Sequence, residues 1–479
     1  MLFQLVKNTI SLVTVGIVDK LSMVVFLAIL ARKLDKVEFG AYSLVITLIV
    51  IGSIFVNFGV ENVIVREIAK NKAQAKGFFA NGLLIALASS LLIWPLVVTL
   101  AFLLGYSSEI IFLLSFGGAV LIFMGIGQIA SAVLKAHERM EVIAFVGVCH
   151  SIVSLGISII VLLMKGGLTG LVIVLLTTES VKATVLLIVV HHRFVPLNWL
   201  FDISVIRKIL RMAIPFAVLI GCGVILHRAD ILFMGWLRPL EEVAIYSVSA
   251  KFTDSLSLIS GSMVTALYPA LSVKAVTSKE ELLRFYYNSI RGFGILGFGT
   301  CAIIVVLAKP IILFLFGANY LSGVTALQWL GWAFLFSVIS GPIGTLLLAT
   351  GHQMHHLLLV GIVVLSINIL LNLWLIPLYS YNGAAVSVFV CAVLGFLGRL
   401  ILSRAYFGQF PPLLTIVWRA ILASTLTGLI LMLLNELNVV VLALIGGALY
   451  FALLAVVGEF RQPQYLPIRL KISKLFWDS

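Results

Sequence analysis

The chain reads as an all-α polytopic membrane protein, and three observations say so. Its mean hydropathy is +1.20. Of its 479 residues, 62% are hydrophobic and 11% charged. Apolar runs long enough to cross a bilayer recur from one end to the other. An ordinary soluble domain is about 45–50% apolar and about 25% charged, so this chain has too few charges to cover an aqueous surface. Soluble enzymes, disordered regulators and fibrous proteins are excluded.

A membrane-crossing helix needs about 20 mostly apolar residues. Irregular backbone cannot face lipid, because its unpaired polar groups have no water to bond. Fourteen runs meet this length, near 8–31, 41–63, 78–104, 109–134, 142–164, 168–190, 213–236, 244–271, 289–307, 323–349, 357–377, 382–404, 413–434 and 438–458. The even number places both termini on one side. With the N-terminus cytoplasmic, 22 of the 32 Lys and Arg residues fall in cytoplasmic loops, tails or flanks and six fall outside, among them Arg32, Lys33 and Arg238. Basic residues accumulate on the cytoplasmic side of membrane proteins, so both termini are expected in the cytoplasm, with the protein in the cell (inner) membrane. The same asymmetry explains most of the net charge of +13 without nucleic acid.

The runs divide into two similar sets. Around the first outer loop the chain reads Ala31-Arg-Lys-Leu-Asp-Lys-Val-Glu38-Phe-Gly-Ala-Tyr42-Ser43, and at an offset of 204 it reads Gly235-Trp-Leu-Arg-Pro-Leu-Glu-Glu242-Val-Ala-Ile-Tyr246-Ser247. A weaker echo sets Gly170 against Gly383. Six runs intervene, so the copies have one orientation and predict a pseudo-two-fold axis along the membrane normal. The expected organisation is a six-helix bundle over 1–190, a cytoplasmic linker over 191–212 and a second six-helix bundle over 213–404. Two additional helices over 405–460 and a basic cytoplasmic tail over 461–479 complete it. The linker carries a short amphipathic stretch near Ile203–Met212, and residues 467–477 mix apolar and basic side chains as an interfacial helix does.

Motifs of soluble chemistry are absent. There is no GxxxxGK[ST] phosphate loop, HExxH or GxSxG, so no nucleotide cofactor, metal or catalytic triad is expected. His352, His355 and His356 are spaced like metal ligands but have no thiol or carboxylate beside them, and they read as solvated or headgroup-facing. Cys149, Cys222, Cys301 and Cys391 lie far apart in apolar runs and read as small core residues.

The informative residues are the charges inside the spans, since each costs at least ~2.5 kcal/mol to insert at mid-bilayer. At about 1.5 Å rise per residue, Lys20, Arg228 and Lys251 lie about 15, 12 and 10 Å below the outer ends of their helices. Asp230 and Asp254 fall in the same layer, and Asp19 lies beside Lys20 inside its span. Glu179 and Lys182 are spaced i, i+3 and can neutralise one another on a helix. Lys251 and Asp254 share that spacing, on a helix that also carries Ser249, Thr253, Ser255, Ser257 and Ser260, a polarity suited to lining a cavity. Arg228 and Asp230 are two apart, point to different faces and need partners beyond their own helix.

Taken in order, these residues resemble the polysaccharide (O-antigen type) flippases of the multidrug/oligosaccharidyl-lipid/polysaccharide exporter superfamily. The resemblance runs along Ala31-Arg32-x-Leu34, Phe39-Gly40-x-Tyr42-Ser43, Gly59, Arg66-Glu67, Arg228-x-Asp230, Tyr246-Ser247 and Leu267-Tyr-Pro-Ala-Leu271. It continues through Leu315-Phe-Gly317 with Tyr320, Asn368-x3-Asn372, Ile376-Pro377 and Gly383-Ala384-Ala385. Ser380 stands where that family usually has Gly in a turn. The resemblance implies a flippase moving a polyprenyl-(pyro)phosphate-linked oligosaccharide by alternating access, without enzymatic chemistry, as a monomer among membrane lipids. It makes Arg228, Lys251 and Lys20 the expected contacts to the anionic head. Asp230, Asp254 and Asp19 are then expected to position those bases, bind sugar or take a coupling ion (H+ or Na+). A cation-coupled multidrug exporter and a lipid II flippase are the alternatives within the superfamily.

Overall fold

The computed structural model describes residues 2–196, 201–351, 354–434 and 437–461; the expected interfacial tail and His352 lie outside them. No strand occurs among the described residues. The helices are α1 (Leu2–Lys33), α2 (Lys36–Asn57), α3 (Val60–Lys70), α4 (Ala75–Leu103), α5 (Ser108–Gly117), α6 (Val120–Ala136), α7 (Met140–Leu163) and α8 (Gly167–Arg193). They continue with α9 (Ile203–Leu237), α10 (Leu240–Thr277), α11 (Lys279–Leu315), α12 (Val324–Thr350), α13 (Met354–Phe407), α14 (Leu413–Leu433) and α15 (Val439–Val456).

Among the described residues, eleven helical stretches are long and apolar enough to cross a membrane. The chain is therefore a membrane protein with many spans. Length and composition give eleven rather than the fourteen expected. Helices α1 and α9 are not among the eleven, and α13 enters as one although Ser380 breaks its helical backbone. Where the runs were read as single helices, local chemistry sometimes cuts them. The run 41–63 is two helices, because Phe58 and Gly59 both take left-handed backbone (φ 44° and 77°) and end α2 before α3 begins. The run 109–134 is divided by a turn at Gly118 and Ala119, which keep right-handed backbone (φ −61° and −56°). Elsewhere the helices overrun the apolar segments. The amphipathic stretch at Ile203–Met212 is the first part of α9, capped by Asp202, whose carboxylate accepts from the Ser204 and Val205 amides.

Two compact units are present. The first comprises Met1–Lys251 with Ile369–Tyr381, and the second Phe252–Asn368 with Asn382–Ser479. Lipid is as apolar as leucine, so helices in a bilayer gain by close packing and hydrogen bonds rather than by escape from water. The first unit has a core that includes Val63, Ile64, Phe79, Ile129, Leu134 and Ile209, gathered from α3, α4, α6 and α9. The second is centred on Leu282, Tyr286, Phe293, Leu335, Ile343 and Phe396, from α11, α12 and α13.

Candidate functional site

The two echoing segments lie side by side in the first unit. A methyl group on Gly40 would come within 2.0 Å of the Leu240 carbonyl oxygen, and one on Gly235 within 2.7 Å of Leu44. The start of α2 therefore crosses the α9–α10 turn with backbone nearly touching backbone, an approach only a glycine at position 40 permits. The first copy begins with a capping box: the Glu38 amide donates to Asp35 Oδ1 at 2.8 Å, and the Asp35 amide to Glu38 Oε2 at 3.2 Å. In the second, Arg238 Nε donates to Glu242 Oε2 at 2.7 Å, and the Ser380 hydroxyl donates to the same carboxylate.

Below this crossing sit three of the expected site residues. Asp230 is 5% exposed; it accepts from the Tyr246 hydroxyl through Oδ2 and from the Ile231 amide, 2.9 Å, through Oδ1. Lys251, 3% exposed, brings Nζ within 5.8 Å of the Tyr42 ring centroid. A cation over a ring face is attracted by the ring quadrupole, more strongly when desolvated. Both motif tyrosines thus contact charged side chains. Arg228 is half-buried on α9. Asp254, half-buried on α10, belongs to the second unit.

Asp19 and Lys20 belong to a different group. Asp19 is exposed on α1 and accepts from the Ser151 hydroxyl of α7 at 3.0 Å. The preceding residue, His150, has Nε2 3.3 Å from Glu179 Oε1, and Lys182 Nζ donates to both oxygens of Glu179 at 3.2 Å. The i, i+3 pair read from the sequence is present, and α7 links it to Asp19. His150 and Ser151 escaped the sequence reading because nothing in the spacing joins an isolated histidine in an apolar helix to acids on two others. Lys20 is half-buried and has no hydrogen bond or ion pair with a described residue.

The second unit holds charges that the sequence reading placed in cytoplasmic flanks. Glu459, 1% exposed, lies 3.6 Å from Arg291 of α11 and 3.5 Å from Arg419 of α14. Arg399 of α13 donates through Nη1 to the Ser340 hydroxyl of α12 at 2.9 Å. Counting from the helix end would have exposed Arg399, since it lies eight residues before Phe407.

In the first unit a cavity of about 580 Å³ opens at the end of α9 far from Asp230, lined by Phe58, Ile203, Arg207, Leu210 and Arg211. Near that end Glu67 is 3.1 Å from Lys70 and 3.3 Å from Lys208. Burial pushes the Glu67 carboxyl up, but hydrogen bonds and charge from the two lysines outweigh it and hold it below its ordinary value.

Comparison with known proteins places the chain. It is 22% identical over 352 residues to a protein of Klebsiella pneumoniae described as an uncharacterized membrane protein in the cps region, spanning 71% of this chain and 70% of that one. Its fold is similar to that of the lipid II flippase MurJ in an inward closed conformation, with a TM-score of 0.77 at 14% identity over 95% of this chain and 99% of the other. It is also similar to an inward-facing multidrug resistance transporter of the MATE family within the MOP superfamily, with a TM-score of 0.63 at 14% identity over 83% and 99%. Residues 29–325 match the family described as polysaccharide biosynthesis protein, and on that match, which covers more than half of its length, the chain belongs to that family.

Proposed function

We propose that this protein is a flippase that carries a polyprenyl-(pyro)phosphate-linked oligosaccharide across the cell membrane by alternating access, for polysaccharide biosynthesis. Membership of the polysaccharide biosynthesis family carries the reading. The likeness of fold to a lipid II flippase supports it, since such a substrate poses the same physical problem. A hydrated head must cross hydrocarbon while its lipid tail stays in lipid. A path flanked by basic groups within the spans suits that head, because an ionisable side chain inside a membrane marks a functional site by default. Lys251, Arg228 and Lys20 bind the phosphates in this reading. Asp230 sets the Tyr246 hydroxyl, and Asp254 faces the sugar.

The fourteen crossings of this reading are the eleven apolar stretches together with α1, α9 and the division of α13 at Ser380. The bundles are 1–190 and 213–404, related by a rotation about the membrane normal, with 405–460 added and both termini cytoplasmic. Single-cysteine labelling from outside should reach the 32–38 turn and not 64–77; the reverse result defeats the orientation.

The decisive assay is transfer of a polyprenyl-pyrophosphate oligosaccharide in proteoliposomes. Arg228→Ala and Lys251→Ala should each reduce transfer by about tenfold or more, the loss of a charge-assisted contact, with yield of folded protein close to wild type. Unchanged transfer in both variants defeats the site assignment, and no transfer by the wild type defeats the function. A cation-coupled exporter is the second reading, favoured by the acids Asp19 and Glu179 joined through α7. Uptake of a lipophilic cation dye by the same vesicles, without transfer of the lipid-linked sugar, would establish it.

A further inference from the structure

Arg399 stands apart from other half-buried arginines. Arg291 and Arg419 share the Glu459 carboxylate, and Arg238 is paired with Glu242. Arg399 makes one hydrogen bond, to the neutral hydroxyl of Ser340, and no ion pair with a described residue. A guanidinium carries five N–H donors and never loses its charge in a protein. A charge drawn partly out of water without a counter-charge is destabilising.

The surroundings offer no relief. Arg399 lies between Phe396 and Leu400, which belong to or pack on the apolar core of the second unit, and the Phe336 and Phe396 rings are 5.7 Å apart. It stands eight residues before the end of α13, about 12 Å by helix rise, so the head group does not readily reach the helix end. One wall is made of very small groups. Ser340 and Gly344 are one turn apart on α12, and a methyl group on Gly344 would sit 3.6–3.7 Å from Cδ, Nε and Nη1 of Arg399. The guanidinium is therefore laid over a bare stretch of helix backbone, with a hydroxyl at one end and its remaining donors uncommitted.

We propose that Arg399, with Ser340, is a second phosphate-binding position, held within the second unit and additional to Lys20, Arg228 and Lys251 of the first. The inference rests on the flippase reading and adds to it a residue that takes the lipid-linked phosphate. A planar guanidinium binds two phosphate oxygens side by side, and the Ser340 hydroxyl can turn to donate to a third. The low-dielectric surroundings that make the lone charge costly also strengthen its attraction to an anion. Bound phosphate thus supplies a counter-charge that no described residue provides.

The test uses the full chain in nanodiscs of neutral lipid, with binding of a polyprenyl phosphate, the uncharged polyprenol and phosphatidylglycerol measured alongside melting temperature. Arg399→Gln should weaken polyprenyl phosphate binding by about tenfold or more and leave polyprenol binding unchanged. Its ligand-free melting temperature should equal or exceed that of the wild type, because an uncompensated charge has been removed. Arg399→Lys, which keeps the charge and loses the fork, should bind with intermediate affinity, and Ser340→Ala should weaken binding by a smaller factor. Wild-type affinity in both Arg399 variants overturns the inference, as does a sharp fall in the ligand-free melting temperature of Arg399→Gln. Phosphatidylglycerol competing on equal terms with polyprenyl phosphate would make this a phospholipid site and overturn the assignment to substrate. A wild type that does not distinguish polyprenyl phosphate from polyprenol would remove the flippase reading as well.

Discussion

The segments 31–43 and 235–247 share a skeleton of Glu, Tyr and Ser at one spacing, and they use it differently. In the first, Glu38 completes a capping box with Asp35, so the start of α2 is secured by residues three apart. In the second, proline stands at the position of Asp35, and Glu242 instead pairs with Arg238 and with Ser380, 138 residues away. At the next positions the roles invert: the first copy needs Gly40 against the Leu240 carbonyl, while the second has Ala244 with room for its methyl. Both serines, Ser43 and Ser247, are fully buried with no hydrogen-bond partner for the hydroxyl among the described residues. The difference teaches that a repeat preserves spacing and packing, whereas each copy's polar residues are free to take different partners.

Substitutions can break this comparison, and the largest effect is expected at its tightest point. Gly40→Ala should cost about 3 kcal/mol or more, because a methyl cannot share space with backbone, whereas Ala244→Gly should cost about 1 kcal/mol. Thermal melting of the two purified variants checks this, and equal losses would show that the copies are packed alike. Glu242→Ala comes next, at about 1.5–3 kcal/mol for a charge-assisted bridge. Glu38→Ala should cost about 1 kcal/mol, as a cap does. A double-mutant cycle of Glu242→Ala with Ser380→Ala should show coupling, and the same cycle with Glu38→Ala should show none. The smallest net change belongs to Ser380→Gly. Ser380 holds φ 52°, ψ −134°, a backbone region nearly confined to glycine, with strain of about 1–3 kcal/mol. Glycine relieves the strain and loses the bond to Glu242, so melting should shift little. A large fall would mean that the hydroxyl outweighs the strain.

This turn shows where the sequence was legible and where it was not. Apolar length located the helices, because a bilayer leaves the backbone almost no other option, but not all their ends: α9 and α11 overrun their apolar runs by as much as ten residues. The Glu179–Lys182 pair was visible since helix geometry alone sets its distance. The Ser380 position was noted as a departure from a familiar glycine, but its left-handed backbone and its bond to Glu242 exist only once distant helices meet. The same applies to the break at Phe58–Gly59, hidden inside an unbroken apolar run. His150 with Glu179 and Tyr246 with Asp230 are contacts between helices, and no period along one helix encodes them. Arg399 lies close to a loop in the sequence, and only its depth along α13, eight residues before Phe407, sets it apart.

The carboxylate of Glu459 has a bearing on how such a chain could change its length. It follows directly on α15 and sits between arginines of α11 and α14. An ancestor or an engineered form ending after α13 would discard the acid and Arg419 but keep Arg291, taking away the carboxylate that lies 3.6 Å from that guanidinium. The two terminal helices are therefore not a detachable appendix. Their loss would change the charge balance around α11 as well as shorten the chain, so truncation and charge cannot be varied independently at this point.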